Sequence, residues 1–306
     1  MHRLNVAVIG PRGIGRVHIR EFQRAGASIS GILGQDYDRT CDLASRLGRE
    51  QGDEVRAFRT LEELVTADLD AVSICSPVEC HLDQVMAALE SGKKVFCEKP
   101  LFWLADVSAE EVQEVCDYIR SLEKGRLALN TCNSSFLPGY SSLFGEPHGL
   151  ATFRFEFWTN GRCEGAMIGV DLLPHAFALL QAICPDSCLT DVSVRIEKSR
   201  LLATCMYGGV HCEFDLRQTA EGERRLRFGF GNQIAERVQR TEQGDYQVFL
   251  QPVGDPTRRL RQRDPFEVFI TDFVHKAGSG QEFLADAREA ARNSELVAEL
   301  LRERFR

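Results

Sequence analysis

Three groups of residues in this sequence have types and spacings that could do chemistry. Glu98-Lys99-Pro100 follows the apolar run Val95-Phe96-Cys97. A lysine at the carboxyl end of a parallel strand points into the crevice where open α/β sheets bind ligands, and its ammonium can hydrogen-bond a substrate hydroxyl or carbonyl. A surface lysine beside Glu98 is the alternative. Asp171 and His175 stand four apart, which on a helix puts them on one face, a turn from each other. Histidine titrates near neutrality, so His175 can take a proton from an alcohol or return one, with Asp171 orienting the ring or binding a neighbouring hydroxyl. The same spacing fits a core histidine with a capping or solvated aspartate. The third group, Gly10-Pro11-Arg12-Gly13-Ile14-Gly15, follows the apolar stretch Val6–Ile9. Between a strand and a helix, such a loop offers backbone amides and the helix dipole to a pyrophosphate.

That glycine loop departs from G-x-G-x-x-G: Gly10 and Gly15 hold the first and third positions, and Arg12 stands at the second. A side chain there crowds a diphosphate unless Gly13 reshapes the turn or the Arg12 guanidinium neutralises the phosphate. A tight structural turn is the plainer alternative. The next strand should end in a carboxylate for the adenosine ribose, and here the stretch reads Leu33-Gly34-Gln35-Asp36-Tyr37-Asp38-Arg39. Asp36 falls one or two residues late. It can turn toward a free ribose, or Arg39 and Arg12 can accept a 2′-phosphate, so the expected cofactor is NAD or NADP. Asp36 and Asp38 equally suit a turn or a helix cap.

These residues need elements to carry them. Short apolar runs alternate with amphipathic stretches over the first 130 residues, the pattern of strand–helix–strand units on a parallel sheet. Strands are predicted at Leu4–Ile9, Ser28–Leu33, Ala71–Cys75, Val95–Cys97 and Leu127–Leu129, and helices at Gly15–Arg24, Arg39–Leu47, Leu61–Val65, Leu82–Glu90 and Ser108–Leu122. Beyond about residue 133, Phe153, Phe155 and Phe157 alternate with Arg154, Glu156 and Trp158. That period of two predicts an antiparallel, half-buried strand. Cys212–Arg217 and Leu226–Phe230 repeat it, and helices are expected at Asp171–Ile183, Phe266–Lys276 and Ala285–Arg304. Ser134–Gly149, rich in Ser, Gly and Pro, reads as a connector. The expected architecture is an N-terminal doubly wound parallel sheet of Rossmann type, residues 1–132, and a C-terminal α+β domain on a mostly antiparallel sheet, residues 133–306.

With Glu98-Lys99-Pro100, Asn130 to Pro138, Gly145-Glu146-Pro147 and Asp171-Leu172-Leu173-Pro174-His175 in this order, the chain resembles the Gfo/Idh/MocA oxidoreductases. The resemblance spans most of the sequence. It implies an NAD(P)-dependent oxidoreductase acting on a secondary alcohol or carbonyl of a sugar, polyol or inositol-like substrate, with Lys99, Asp171 and His175 as its catalytic set. It also implies a cis peptide before Pro100 and cofactor contacts from Ser76, Pro77, His81 and Glu98. His18 matches a common residue of the family and reads as structural, while Trp158, Asn160 and Arg162 either reach a substrate or decorate a surface. Arg12, the displaced acidic residue and Ser135, where many members carry Arg, depart from the family pattern. The alternative function is a catalytically silent dinucleotide-binding sensor of the same fold.

Composition narrows the partners. The 306 residues carry 37 Lys+Arg against 45 Asp+Glu, a net charge of −8, which argues against nucleic acid and anionic membrane surfaces. An apolar fraction of 43% with 27% charged residues is that of a globular chain. The N-terminal apolar run is too short for a signal peptide and no stretch approaches the roughly 18–20 apolar residues of a membrane span, so a cytoplasmic location is expected. The 11 cysteines have no C-x-x-C spacing and read mainly as buried thiols, and no metal site is expected. The open face of an antiparallel sheet points to a homodimer or homotetramer.

Overall fold

The computed structural model describes residues 3–105, 107–131, 133–147, 151–242 and 245–301. The chain begins as β1 (Asn5–Ile9), α1 (Ile14–Arg24), β2 (Ser28–Leu33), α2 (Tyr37–Gln51), β3 (Arg56–Phe58), α3 (Leu61–Thr66), β4 (Ala71–Ile74), α4 (His81–Glu90), β5 (Lys94–Glu98), α5 (Ala109–Glu123) and β6 (Leu127–Asn130). Val6, Ala7, Val8 and Ile9 are all buried, as they must be in a strand covered by helices on both sides. The six strands pair in parallel in the order β3-β2-β1-β4-β5-β6. The order reverses between β1 and β4, and ligands of open α/β sheets bind outside the strand ends at such a switch point. The glycine loop leaves β1 there.

The chain continues as α6 (Leu137–Phe144), β7 (Thr152–Thr159), α7 (Met167–Ile183), β8 (Leu189–Ile196), β9 (Arg200–Tyr207), β10 (Val210–Gln218), β11 (Arg225–Phe230), β12 (Gln233–Glu242), β13 (Asp245–Pro252), β14 (Leu260–Gln262), α8 (Pro265–Ser279) and α9 (Leu284–Leu301). The second sheet runs β14-β13-β12-β11-β7-β10-β9-β8. Its neighbours are antiparallel except β7 and β10, which pair in parallel. The strand predicted as simply antiparallel, β7, therefore sits at the one mixed junction. Phe153, Phe155 and Phe157 share its buried face, and α7 covers that face through ring contacts of His175 with Phe157 and of Phe177 with Phe214.

Three readings of the sequence are corrected. Strand β3 is present but has only three residues, too few for an alternation to show. The stretch read as a connector holds a 3-10 turn at Asn133–Phe136 and then α6, with Phe136 and Tyr140 fully buried; its last two residues lie outside the described set. Nor do the compact units follow one cut at 132/133. The first comprises residues 1–104, 110–130 and 266–294, the second residues 105–109, 131–265 and 295–306. Ile270, Phe273, Ala277 and Phe283 complete the first unit's core with Phe22 and Phe96, the phenylalanine rings meeting at centroid distances of 5.0–6.0 Å. Among the described residues no helix is long and apolar enough to cross a membrane.

Candidate active site

The glycine loop is built so that two of its positions cannot carry a side chain. A Cβ on Gly10, at φ +75°, would stand 2.7 Å from the Cys75 carbonyl group, and one on Gly15 would stand 2.1 Å from the Gly10 oxygen. Strand end, loop and first helical turn are thus pressed together. Gly13 has open space around its Cα but a φ of +52°, a left-handed conformation that glycine alone adopts without cost. It precedes Ile14, the first residue of α1, whose N-terminus has no side-chain cap and no acidic residue in its first turn. A cleft of about 480 Å³ opens beside the loop, lined by Gly10, Arg12, Asp36, Arg39, Ser76 and Pro77 among others. Arg12 is exposed and lines this cleft. The uncapped helix start, the cramped glycines and the adjoining guanidiniums fit a dinucleotide diphosphate.

Asp36 is already engaged. It caps α2 by accepting a hydrogen bond from the Arg39 backbone amide and pairs with the Arg39 guanidinium at 3.1 Å. It still lines the cleft, with a cation as its partner. Ser76 donates from Oγ to Gln84 Oε1 at 2.6 Å. His81 is buried, with Nδ1 facing the Pro100 carbonyl at 2.8 Å and Nε2 facing the Ser76 carbonyl at 2.9 Å. Expected as a cofactor contact, it is a strut between two backbone segments at the carboxyl ends of β4 and β5.

Lys99 follows β5 directly, half-buried, and the Lys99–Pro100 peptide is cis. Glu98 beside it is buried and accepts two hydrogen bonds on Oε1, from His18 Nε2 at 2.7 Å and from Asn130 Nδ2 at 2.7 Å. The other ring nitrogen of His18 meets Ser73 Oγ at 2.9 Å. Burial favours neutral His18, but the Cys75 sulfur and the Glu98 carboxylate outweigh it and raise its pKa to about 10. Burial likewise opposes the Glu98 anion, and the His18 bond and charge, with the Lys99 ammonium, hold its pKa below the usual carboxylate value. Glu98 is therefore an internal carboxylate and not a lining residue of the cleft.

In the second unit Asp171 and His175 lie on α7, as their spacing requires. His175 is buried and donates from Nδ1 to the Thr131 carbonyl. That bond fixes the tautomer with the lone pair on Nε2. Asp171 accepts from Gln218 Nε2, while Gln218 Oε1 accepts from the Cys163 amide at 2.8 Å, so both ends of the Gln218 amide are committed. Gln218 was not singled out in the sequence, although a signal exists: it continues the buried register of Cys212, Phe214 and Leu216, where a polar residue is out of place. Trp158 alternates to the face opposite Phe157. Its ring lies between Arg217 and Arg225, its in-register neighbours, at 3.9 and 3.8 Å.

Residues 4–129 match the family model described as an oxidoreductase family with an NAD-binding Rossmann fold, Gfo/Idh/MocA. These residues belong to the Gfo/Idh/MocA oxidoreductase family. The nicotinamide dinucleotide expected from the sequence is the cofactor class that this family's Rossmann domain is described as binding. An inositol 2-dehydrogenase/D-chiro-inositol 3-dehydrogenase of Shouchella clausii is 39% identical over 106 residues, 34% of this chain and 30% of that protein. An inositol 2-dehydrogenase of Corynebacterium glutamicum is 26% identical over 278 residues, 85% of this chain and 77% of that protein. The chain thus aligns with less than a third of the length of the first of these relatives. Among solved structures, the UDP-N-acetylglucosamine 3-dehydrogenase GnnA of Acidithiobacillus ferrooxidans matches with a TM-score of 0.71 at 18% identity, covering 98% of this chain and 97% of that one. KijD10, a 3-ketoreductase of Actinomadura kijaniata solved with TDP-benzene and NADP, matches with a TM-score of 0.68 at 18% identity over 98% and 97% of the two chains. At such identities the structural matches establish the fold alone.

Proposed function

We propose that this Gfo/Idh/MocA chain is an NAD(P)-dependent oxidoreductase that moves a hydride between nicotinamide and a secondary alcohol or carbonyl carbon of a sugar, polyol or inositol-like substrate. The observation that carries the reading is Lys99 at the carboxyl end of β5, in the same unit as a glycine loop whose positions 10 and 15 exclude any side chain. Support for the substrate class comes from the inositol dehydrogenases to which the chain is similar. A dinucleotide held by the glycine loop would supply the hydride-transfer chemistry when bound.

The chain's own residues take the remaining roles. The backbone amides of Arg12, Gly13 and Ile14 and the Arg12 guanidinium hold the diphosphate. Ser76 and Pro77 line the cleft wall, and His81 braces the carbonyl of Ser76 behind it. The Lys99 ammonium hydrogen-bonds the reacting oxygen. His175 exchanges the proton at Nε2, since its Nδ1 is committed to Thr131, and Asp171, held by Gln218, aligns the substrate.

Fluorescence titration with NADH and NADPH tests binding, and a polyol and sugar panel read at the nicotinamide absorbance band tests turnover. Lys99→Ala is expected to bind dinucleotide as the parent does and to lose about 10²–10³-fold in kcat, the usual cost of removing a hydrogen-bond donor from the reacting oxygen. A Lys99→Ala protein that turns over as fast as the parent rejects the mechanism. Binding without turnover across a broad panel favours the silent sensor.

A further inference from the structure

One buried polar group is not used by this mechanism. His18 sits on α1, fully buried among the rings of Phe22, Phe96 and Phe266, at centroid distances of 5.4–6.4 Å. Its two nitrogens reach Ser73 on β4 and Glu98 on β5. An apolar residue of similar size would fill this site without the desolvation cost, which for an ion in a protein interior is several kcal/mol. Stability alone therefore gives little reason for a charged pair here. What distinguishes the pair is its address: the carboxylate it fixes belongs to the residue immediately before Lys99.

We propose that His18 is a positioning residue for Lys99, acting through Glu98: by donating to Glu98 Oε1 alongside Asn130, it holds a fixed anion next to the Lys99 side chain. The inference rests on reading Lys99 as the group that meets the reacting oxygen. The bond pattern is self-consistent. An imidazolium donates from both nitrogens, to Ser73 Oγ and to Glu98 Oε1, and Oε1 accepts a second bond from Asn130. A buried carboxylate without these two donors takes up a proton, and Lys99 then loses the negative charge beside it. The titratable and charged groups facing the pair are Cys75 just after β4, Cys97 on β5 and Lys99 just after β5. Burial and the Glu98 charge both raise the Cys97 thiol well above its ordinary value, so Cys97 stays neutral. The fixed anion keeps Lys99 an ammonium, a hydrogen-bond donor and not a general base, across the neutral pH range.

The test reads Lys99 directly and needs no substrate. Competitive acetylation of the full-length protein across pH, with mass-spectrometric readout at Lys99, gives the pH of half-reaction of its amine. His18→Gln and Glu98→Gln are each expected to lower that pH by about one unit, the scale of a single close charge. The double variant should match Glu98→Gln alone, because His18 acts only through Glu98. An unchanged Lys99 in His18→Gln, or effects that add in the double variant, would overturn the proposal. Should the variants not fold, side-chain 15N spectra of the parent protein decide: His18 doubly protonated at pH 8 supports the pair, and His18 neutral at pH 7 refutes it. Failure of the oxidoreductase reading appears separately, as absent turnover with the Lys99 shift intact.

Discussion

At the scale of single residues, the proposed chemistry depends on side chains whose partners are committed before any ligand arrives. Gln218 shows this best, since one end of its amide holds Asp171 and the other the Cys163 backbone. Gln218→Leu removes a hydrogen bond to a charged group, worth about 1.5–3 kcal/mol. Steady-state kinetics on a substrate found by the panel should show kcat lower by about 10–100-fold, with dinucleotide affinity in the first unit unchanged. An unaltered kcat would show that Asp171 needs no alignment. Residues with a spacing rule were legible in the sequence: Asp171 and His175 share α7, and Gly10 and Gly15 are sterically required. Partnerships were not, because the bonds of Asp36 to the Arg39 amide, of His81 to two carbonyls and of Glu98 to His18 are set by geometry that a linear pattern does not encode.

At the scale of elements, the period-two alternation on β7, β10 and β11 marked the buried face correctly, but gave no sign of strand direction, so the parallel pairing of β7 with β10 was unreadable. The other face carries a laddered set of charges. Asp215 on β10 accepts from Arg200 on β9 and from Arg217 two residues along its own strand, with N···O distances of 2.9–3.1 Å. Burial alone would raise its pKa; the two guanidiniums outweigh burial and hold it below the usual 3.8. A carboxylate depressed on folding stabilises the protein fully above its unfolded pKa, and that contribution disappears as the pH falls through the lower, folded value. Asp215→Asn should therefore cost on the order of 1 kcal/mol at pH 7, a small figure because the group is partly solvated. In urea titrations the gap between parent and variant should narrow as the pH falls below the ordinary carboxylate value of about 4. A gap that is independent of pH across the acid range would mean that charge is not what Asp215 contributes.

At the scale of the molecule, the first unit is discontinuous, and this has a consequence for any attempt to isolate it. Local hydrophobic patterning identified α8 and α9 as amphipathic segments, yet such patterning does not say which core a helix joins; α8 and α9 up to residue 294 fall in the first unit. A fragment of residues 1–132, the domain suggested by sequence, lacks Ile270, Phe273 and Phe283 and leaves Phe22 and Phe96 uncovered on that side. Each lost core aromatic is worth about 3–5 kcal/mol, and two of them are comparable to a domain's whole stability of about 5–15 kcal/mol. The two tryptophans fall one in each unit, Trp103 in the first and Trp158 in the second, so Trp103 is an internal reporter. In the full chain carrying Trp158→Phe, dinucleotide at about 100 times its Kd should stabilise the Trp103 transition by about 2.7 kcal/mol, because only the folded cleft binds it. In the 1–132 fragment Trp103 should already be solvent-exposed without denaturant and unresponsive to dinucleotide. A fragment that unfolds cooperatively and binds as tightly as the full chain would show that the first unit does not need residues 266–294, and that the dinucleotide cleft is self-sufficient.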